Sequence, residues 1–270
     1  MVKSRLEQKL PSIKRLKMNY EEAKKEFIKI VDSYDYRYRK WEIFTDFCQM
    51  SAISLFQPFA RDEALEKEYL QIVAKYDKKD VDIFPKLLSL VVMALSDKMG
   101  DFLGECFAAL DLSSKYKGQF FTPYHISKFM ASILGENSKE HEGLSEPACG
   151  AGGMIIARAD VLRELGVNYQ QVMEVQAVDI DSLCVNMCYI QLTLLHISAE
   201  VIHGNSLTLE VFKIWYTPAY IMNATKRQIS SLDELKENDI KIKVPNDSNE
   251  NKFFYSDEEL EVFSTGKLFA

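Results

Sequence analysis

Glu146-Pro147-Ala148-Cys149-Gly150-Ala151-Gly152-Gly153-Met154 is the stretch on which the reading of this chain turns. Three of its last five residues are glycine, an acid and a proline precede them, and the apolar run Ile155-Ile156-Ala157 follows. A strand that ends in such a turn and passes into a helix exposes backbone N–H groups. It also lets a ligand come close where no Cβ stands in the way. Glycine turns that join strands to helices are common, so the flanking residues decide whether this one is a cofactor cradle.

Three flanks point that way. Upstream, Gly118-Gln119-Phe120-Phe121-Thr122-Pro123 opens a helical pattern, with Thr122 suited to the cap and Pro123 to the first turn. Downstream, Val175-Gln176-Ala177-Val178-Asp179-Ile180-Asp181 reads as a buried strand ending in acids, with Asp179 lying 33 positions after Glu146. An acid at the end of the second strand of an α/β unit is where ribose hydroxyls are held. Further on, Val201-Ile202-His203-Gly204-Asn205-Ser206-Leu207 is a third strand with a polar turn at its carboxyl end. The pattern predicts strands over 144–146, 175–179 and 201–203 and helices over 126–134, 153–164 and 182–195. This alternation implies a parallel sheet with crossover helices. All the polar residues then fall on one sheet edge, the edge at which ligands of open α/β sheets bind.

The rest of the chain frames this unit. Its 270 residues, 47% hydrophobic and 27% charged, have the composition of a soluble globular protein with a substantial core. The longest apolar run, 87–95, is far shorter than a bilayer span and is closed by Asp97 and Lys98. The first residues lack the apolar core of a signal peptide, so a cytoplasmic protein without membrane contact is expected. Cys48, Cys106, Cys149, Cys184 and Cys188 form no CxxC pair and no zinc-type spacing. They read as core residues of a reducing compartment, and no metal is expected. Residues 20–113 mix apolar and charged residues at helical spacing over 21–31, 41–56, 61–76 and 84–98, with turn signals at Gln57-Pro58 and at 77–80. The expected organisation is a helical N-terminal domain (1–113), a cofactor domain (114–223) and a charged C-terminal arm or tail (224–270). Residues 1–40 carry a local charge of +6, which leaves −13 on the other 230. Lys14, Arg15, Lys17, Lys24 and Lys25 therefore read either as a basic arm for phosphate or as an ordinary solvated helix face. The net charge of −7 is unusual for a protein that grips a polyanion alone, and a partner supplying most such contacts would resolve this.

The order GQFFTP (118–123), EPACGAGG (146–153), AVDID (177–181) and HGNSL (203–207) resembles the N6-adenine DNA methyltransferases. It is most similar to the modification subunits of type I restriction systems and their short relatives on phages and mobile elements. The resemblance is strong over about 100–223 and extends weakly to Trp41-Glu42-Ile43-Phe44-Thr45-Asp46-Phe47 and Asp101-Phe102-Leu103-Gly104-Glu105. It implies an α/β fold, a Rossmann-like S-adenosylmethionine-dependent methyltransferase domain with a mainly parallel sheet, preceded by the helical domain. It also implies roles. Phe120, Phe121, Thr122 and Pro123 would wall the methionine end of the cofactor. Glu146 and the backbone around Gly150 and Gly152 would hold the methionine amino and carboxylate groups, with Ala148 and Cys149 in the same turn. Asp179 would accept both ribose hydroxyls, and Asn205 would read the adenine, flanked by Ile180 and Ser206. Taken singly, Phe120 and Phe121 equally read as core, Asp179 as a helix cap and Asn205 as a turn residue.

Methyl transfer to an adenine amine needs acceptors that position the amine and favour its pyramidal form, because its lone pair is delocalised into the ring. The resembling enzymes supply them in an Asn-Pro-Pro-Phe or Asp-Pro-Pro-Tyr motif, whose aromatic ring stacks on the flipped base. This chain has no such motif. Its nearest candidate is Thr217-Pro218-Ala219-Tyr220, after the apolar run 212–216. There Thr217 would accept from the amine, a carbonyl near Pro218 would help, and Tyr220 would stack; the stretch equally reads as aromatic core with a turn at Pro218. Nothing after 223 is long enough for a target-recognition domain, so sequence choice would come from a partner, the N-terminal helices or the tail. Three functions follow. One is an adenine-N6 methyltransferase on double-stranded DNA, slow or dependent on a specificity subunit or a second copy. Another is a catalytically inactive, cofactor-binding regulatory or anti-restriction subunit. The third is a methyltransferase acting on RNA or protein.

Overall fold

Asn19 starts the first helix by a reciprocal pair of bonds: its side chain accepts from Glu22 N–H, and Glu22 accepts from Asn19 N–H. The computed structural model describes residues 18–34, 36–112, 121–135 and 141–224. Its first five helices are α1 (Tyr20–Ser33), α2 (Lys40–Ala60), α3 (Glu63–Val73), α4 (Ile83–Asp97) and α5 (Phe102–Ala109). Asp62 and Asp101 cap α3 and α5 through their carboxylates. One expected boundary moves. The Gln57-Pro58 turn signal lies inside α2, where the missing N–H of Pro58 removes only one bond of the last turn, and the helix ends at Arg61 in a left-handed conformation.

The expected alternation follows as α6 (Tyr124–Ile133), β1 (Glu142–Glu146), α7 (Gly153–Glu164), α8 (Tyr169–Val172), β2 (Met173–Asp179), α9 (Ser182–Leu194) and β3 (Ser198–Asn205). β1, β2 and β3 pair in parallel in that spatial order. Both crossovers step in the same direction, so right-handed connections bring α7 and α9 to the same face of the sheet. Leu144, Val175, Ala177, Ala199 and Val201 point to that face and are mostly buried, whereas Ser145 and Gln176 on the opposite face are exposed. The strands thus build an α/β Rossmann-like half-sheet.

A fourth strand, β4 (Glu210–Tyr216), was not foreseen as such; it folds back antiparallel on β3 across a bulge at His203/Gly204. One buried cluster runs from Tyr20 through α2, α4 and α5 to α9, the strands and Trp215. The regions expected as separate helical and cofactor domains therefore share a core. All described residues belong to one compact unit ending at Thr225. The expected tail, like Phe120 and the basic residues Lys14, Arg15 and Lys17, lies outside the described residues. Lys24 is already committed, pairing with Glu105 at 2.7 Å and Glu21 at 2.9 Å. No helix among the described residues is long and apolar enough to cross a membrane.

Arg158 of α7, 2% exposed, joins α6, α7 and β1. It donates Nε and Nη2 to the two oxygens of Glu142 at 2.6 and 2.7 Å, and Nη1 to the Gly135 and Ala131 carbonyls at 3.1 and 3.4 Å. Such a fork holds its partner in one orientation. Arg158→Met leaves Glu142 and two carbonyls without their donor, and chemical denaturation should show a loss of about 3–5 kcal/mol. A loss below about 1 kcal/mol would refute this role.

Candidate functional site

Because β1, β2 and β3 are parallel, their last residues, Glu146, Asp179 and Asn205, lie on one edge of the sheet. The glycine turn crosses this edge between β1 and α7. Gly150 and Gly152 take φ values of +52° and +92°, a region that side chains with a Cβ enter only with strain. Space agrees with conformation. A Cβ on Gly150 would stand 3.0 Å from the Phe121 ring, and one on Gly152 would stand 3.1 Å from Cys188 Sγ. Two bonds fix the turn to β2: Cys149 N–H donates to Val178 O at 2.9 Å, and Gly150 N–H donates to Asp179 Oδ2 at 2.9 Å. Cys149 is a buried free thiol, as are the other four cysteines.

The carboxylates at this edge are held but not spent. Asp179 accepts one N–H on each oxygen, from Gly150 and from Asp181. A carboxylate has about four acceptor positions, so two remain for a diol. Burial raises the Asp179 pKa above the usual range and Asp181 adds repulsion, against the opposing pull of those N–H bonds. Glu146 is raised too, first by burial, with repulsion from Asp179 adding to it. Asn205, expected to read the adenine, has half of its amide already engaged. Its carbonyl oxygen already receives the N–H groups of Leu207 and Thr208 at 3.0 and 3.3 Å and shapes the β3–β4 turn, which leaves the amide NH2 as its free function. Ile180 beside it is 61% exposed, and Ser206 is partly exposed.

The expected wall is partly rearranged. Phe121 packs over the turn and against Phe107, with ring centroids 5.2 Å apart. Pro123, not Thr122, takes the cap position of α6, and no side chain caps that helix. Phe121 and Thr122 line a cavity of about 100 Å³ together with Ala148, Cys149, Gly150, Ala151, Gly153 and Met154. Two lining residues lie outside both the glycine turn and the GQFFTP stretch: Asp101 and Ser127. Their signal in the sequence was faint, the weak resemblance at Asp101–Glu105 and a serine one turn after Thr-Pro. Burial pushes the Asp101 carboxyl up to about 6, opposed by bonds from Gln191 and Gly104 and aided by Glu105. Among the described residues no group of three or more His, Cys, Asp or Glu is placed to hold a metal.

Thr217, Pro218 and Tyr220 do not join this site. Since β4 runs antiparallel to β3, its end returns to the start of β3. There Thr217, 0% exposed, donates its hydroxyl to Ile197 O at 2.8 Å and accepts from Ala199 N–H at 2.9 Å. Six residues of strand, roughly 20 Å at 3.3 Å per residue, separate Ala199 from Asn205. Tyr220 stacks on Tyr216 at 5.1 Å, and Pro218 is half-buried in the helical segment 218–224. The expected catalytic stretch at 217–220 is therefore not brought together with the glycine turn. The spacing from Asn205 fitted, but the direction of the intervening strand is reversed.

A family model described as N-6 DNA Methylase matches residues 96–256. No curated protein matches the chain. Among solved structures, a protein from Listeria monocytogenes assigned to the class I S-adenosylmethionine-dependent methyltransferases aligns at 17% identity and a TM-score of 0.40, over 69% of this chain and 54% of that one. A type I restriction-modification methyltransferase subunit from Streptococcus thermophilus aligns at 13% identity and a TM-score of 0.33, over 65% and 55%. The chain spans about half the length of each, and likenesses this distant carry no further argument.

Two outcomes test the geometry. Thr217→Val leaves Ala199 N–H and Ile197 C=O buried without partners, so stability should fall by about 1–3 kcal/mol while cofactor affinity stays unchanged; a selective loss of affinity would return Thr217 to the site. For Asp101, the folded pKa of about 6 lies above the ordinary 3.8. The native state then binds the extra proton, and stability present below about pH 4 is lost as pH rises through about 6. Asp101→Asn should remove that loss, making the variant more stable than wild type near pH 8 by on the order of 3 kcal/mol, with the gap closing toward pH 4. Equal stability of the two proteins across that range would overturn the assignment.

Proposed function

The chain belongs to the N-6 DNA methylase family, whose model covers more than half of it, and from that premise we propose that it transfers a methyl group to the N6 amine of adenine in double-stranded DNA, in a restriction-modification setting and with a partner. S-adenosylmethionine, the cofactor of this family, supplies an electrophilic methyl group on a sulfonium. The residues at the sheet edge fit it. The turn offers N–H groups and a floor that a Cβ at 150 or 152 would fill, and Asp179 keeps two acceptor positions for a ribose diol. Glu146 and Asp179, both raised by burial, favour a ligand with positive charge. The observation that carries the reading is this convergence of turn, acid and amide on one edge of a parallel sheet within the matched region.

Partner dependence rests on a second observation. Thr217 and Tyr220 are engaged at the far edge, so on this reading the acceptors for the amine come from other residues or from another chain. A specificity subunit or a second copy of this chain would also supply base-edge contacts, since net charge is −7. The same observation favours, as a second reading, a subunit that binds the cofactor without turnover and acts in regulation or anti-restriction.

Incorporation of labelled methyl groups into unmethylated duplex DNA, with cofactor affinity measured in parallel, separates these readings. Asp179→Ala should weaken cofactor binding at least tenfold, as expected for losing charge-assisted hydrogen bonds, and should abolish incorporation. Cofactor binding with no transfer to DNA would support the second reading, and label on RNA or protein would replace DNA as the acceptor. A wild-type protein that binds no cofactor would sink all three.

A further inference from the structure

Ser127 Oγ is fully buried in the second turn of α6 and has no hydrogen-bond partner among the described residues, yet Ser127 lines the 100 Å³ cavity. A buried hydroxyl without a partner costs stability, and native proteins rarely tolerate it unless something else occupies the space. Across the same cavity stands Asp101, 4% exposed. Its Oδ1 is fully engaged, accepting from Gly104 N–H at 3.0 Å and from Gln191 Nε2 at 2.9 Å. Both of these bonds use Oδ1, and no ion pair neutralises the charge among the described residues. Two glycines make room for the other oxygen: a Cβ on Gly104 would stand 2.2 Å from Oδ2 and one on Gly153 would stand 3.0 Å from it. Gly153 is also the first residue of α7, a helix of 12 residues that no side chain caps. Its first N–H groups have no partner within the helix and carry the positive end of the helix dipole.

The cavity thus sets one desolvated carboxylate against one helix amino terminus with a spare hydroxyl. That is the complement of an α-amino-acid zwitterion, whose ammonium needs a carboxylate and whose carboxylate needs N–H and O–H donors. We propose that Asp101 and Ser127, with the start of α7, form the subsite that takes the amino-acid end of the cofactor, Asp101 Oδ2 accepting from the α-ammonium and Ser127 Oγ donating to the α-carboxylate. The inference rests on the cofactor reading above and deepens it. Asp101, which lines the cavity where Glu146 does not, then takes the amino group that the resemblance gave to Glu146. Asp101 is a binding residue and also the cap of α5, so the test must separate the two roles.

Calorimetry of the full-length protein with S-adenosylhomocysteine and with its analogue lacking the α-amino group does so. Wild type should prefer the amino form by at least tenfold. Asp101→Asn keeps Oδ1 for Gly104 and Gln191, so the fold is retained; it should lose at least tenfold for the amino form, bind the deamino analogue as wild type does, and so erase the preference. Ser127→Ala breaks no existing hydrogen bond, and it should weaken both ligands about threefold with no fall in thermal stability. Asp101→Asn within twofold of wild type for both ligands, or equally weakened for both, overturns the proposal, since the second result is what a purely structural cap would give. Wild type binding neither ligand overturns the cofactor reading and this subsite together. Wild type binding both alike overturns the subsite alone.

Discussion

A single carboxamide holds the site to the rest of the molecule. Gln191 lies on α9, which is buried almost all round, so its polar end must find partners inside. Its oxygen accepts from Leu103 N–H at 3.0 Å; its nitrogen donates to Asp101 Oδ1 at 2.9 Å and to Ala151 O at 2.7 Å. One side chain therefore ties the start of α5 to the middle of the glycine turn. From the other side, Val178 O and Asp179 hold the N–H groups of Cys149 and Gly150. The turn is clamped front and rear, and this is what lets a run of three glycines, the most flexible residues in the chain, act as a fixed floor. It also explains why the N-terminal helices share a core with the sheet. They supply the rear clamp.

The sheet that carries this floor is built on one side only. In a doubly wound fold, ligands sit where the strand order reverses, with strands on both sides of the first. Here β2, β3 and β4 all lie to one side of β1, and among the described residues no strand pairs with its other edge. β4 turns back along β3 instead of crossing to that open edge, which spends the polar residues after Tyr216 on closing the far end of the hairpin. Glu146, Asp179 and Asn205 are thus brought to one edge within the described residues, and Thr217 and Tyr220 are not. The partner-dependent enzyme and the cofactor-binding subunit proposed above share this framework.

Most of the framework around the glycine turn was legible in the sequence because each element there has a local cause. Glycines at 150 and 152 need positive φ, strands bounded by acids end where the acids are, and alternation with helices forces parallel pairing. What was not legible depended on direction or on distant contacts. The run 212–216 read only as apolar, its composition is the same read either way, and only pairing with β3 shows that it is part of a strand that runs back. Asn205 had two polar functions on paper, and the tertiary turn uses one of them. Asp101 and Gln191, 90 residues apart, meet only in the fold. Pro58 shows a milder case: a breaker by rule, it is tolerated where the helix is about to end.

The charges around the turn point to a direction of exchange as well as a ligand. Glu146, Asp179 and Asp101 border the same eight-residue stretch, and burial makes each harder to ionise than in water. Such a field is relieved by a cation and not by a neutral group of the same shape. The methylated form of the cofactor carries both a sulfonium and an ammonium; once the methyl group leaves, the sulfur is a neutral thioether and only the ammonium remains. On the reading proposed above, a carboxylate near the sulfur would then lose its counter-charge, while Asp101 would keep its own. The arrangement would accordingly favour the charged donor over the spent product at the sulfur end and hold both alike at the amino-acid end. On that reading, discrimination would fall to the partly exposed Glu146, and anchoring to the desolvated Asp101, because a charge interaction gains strength as water is excluded from around it.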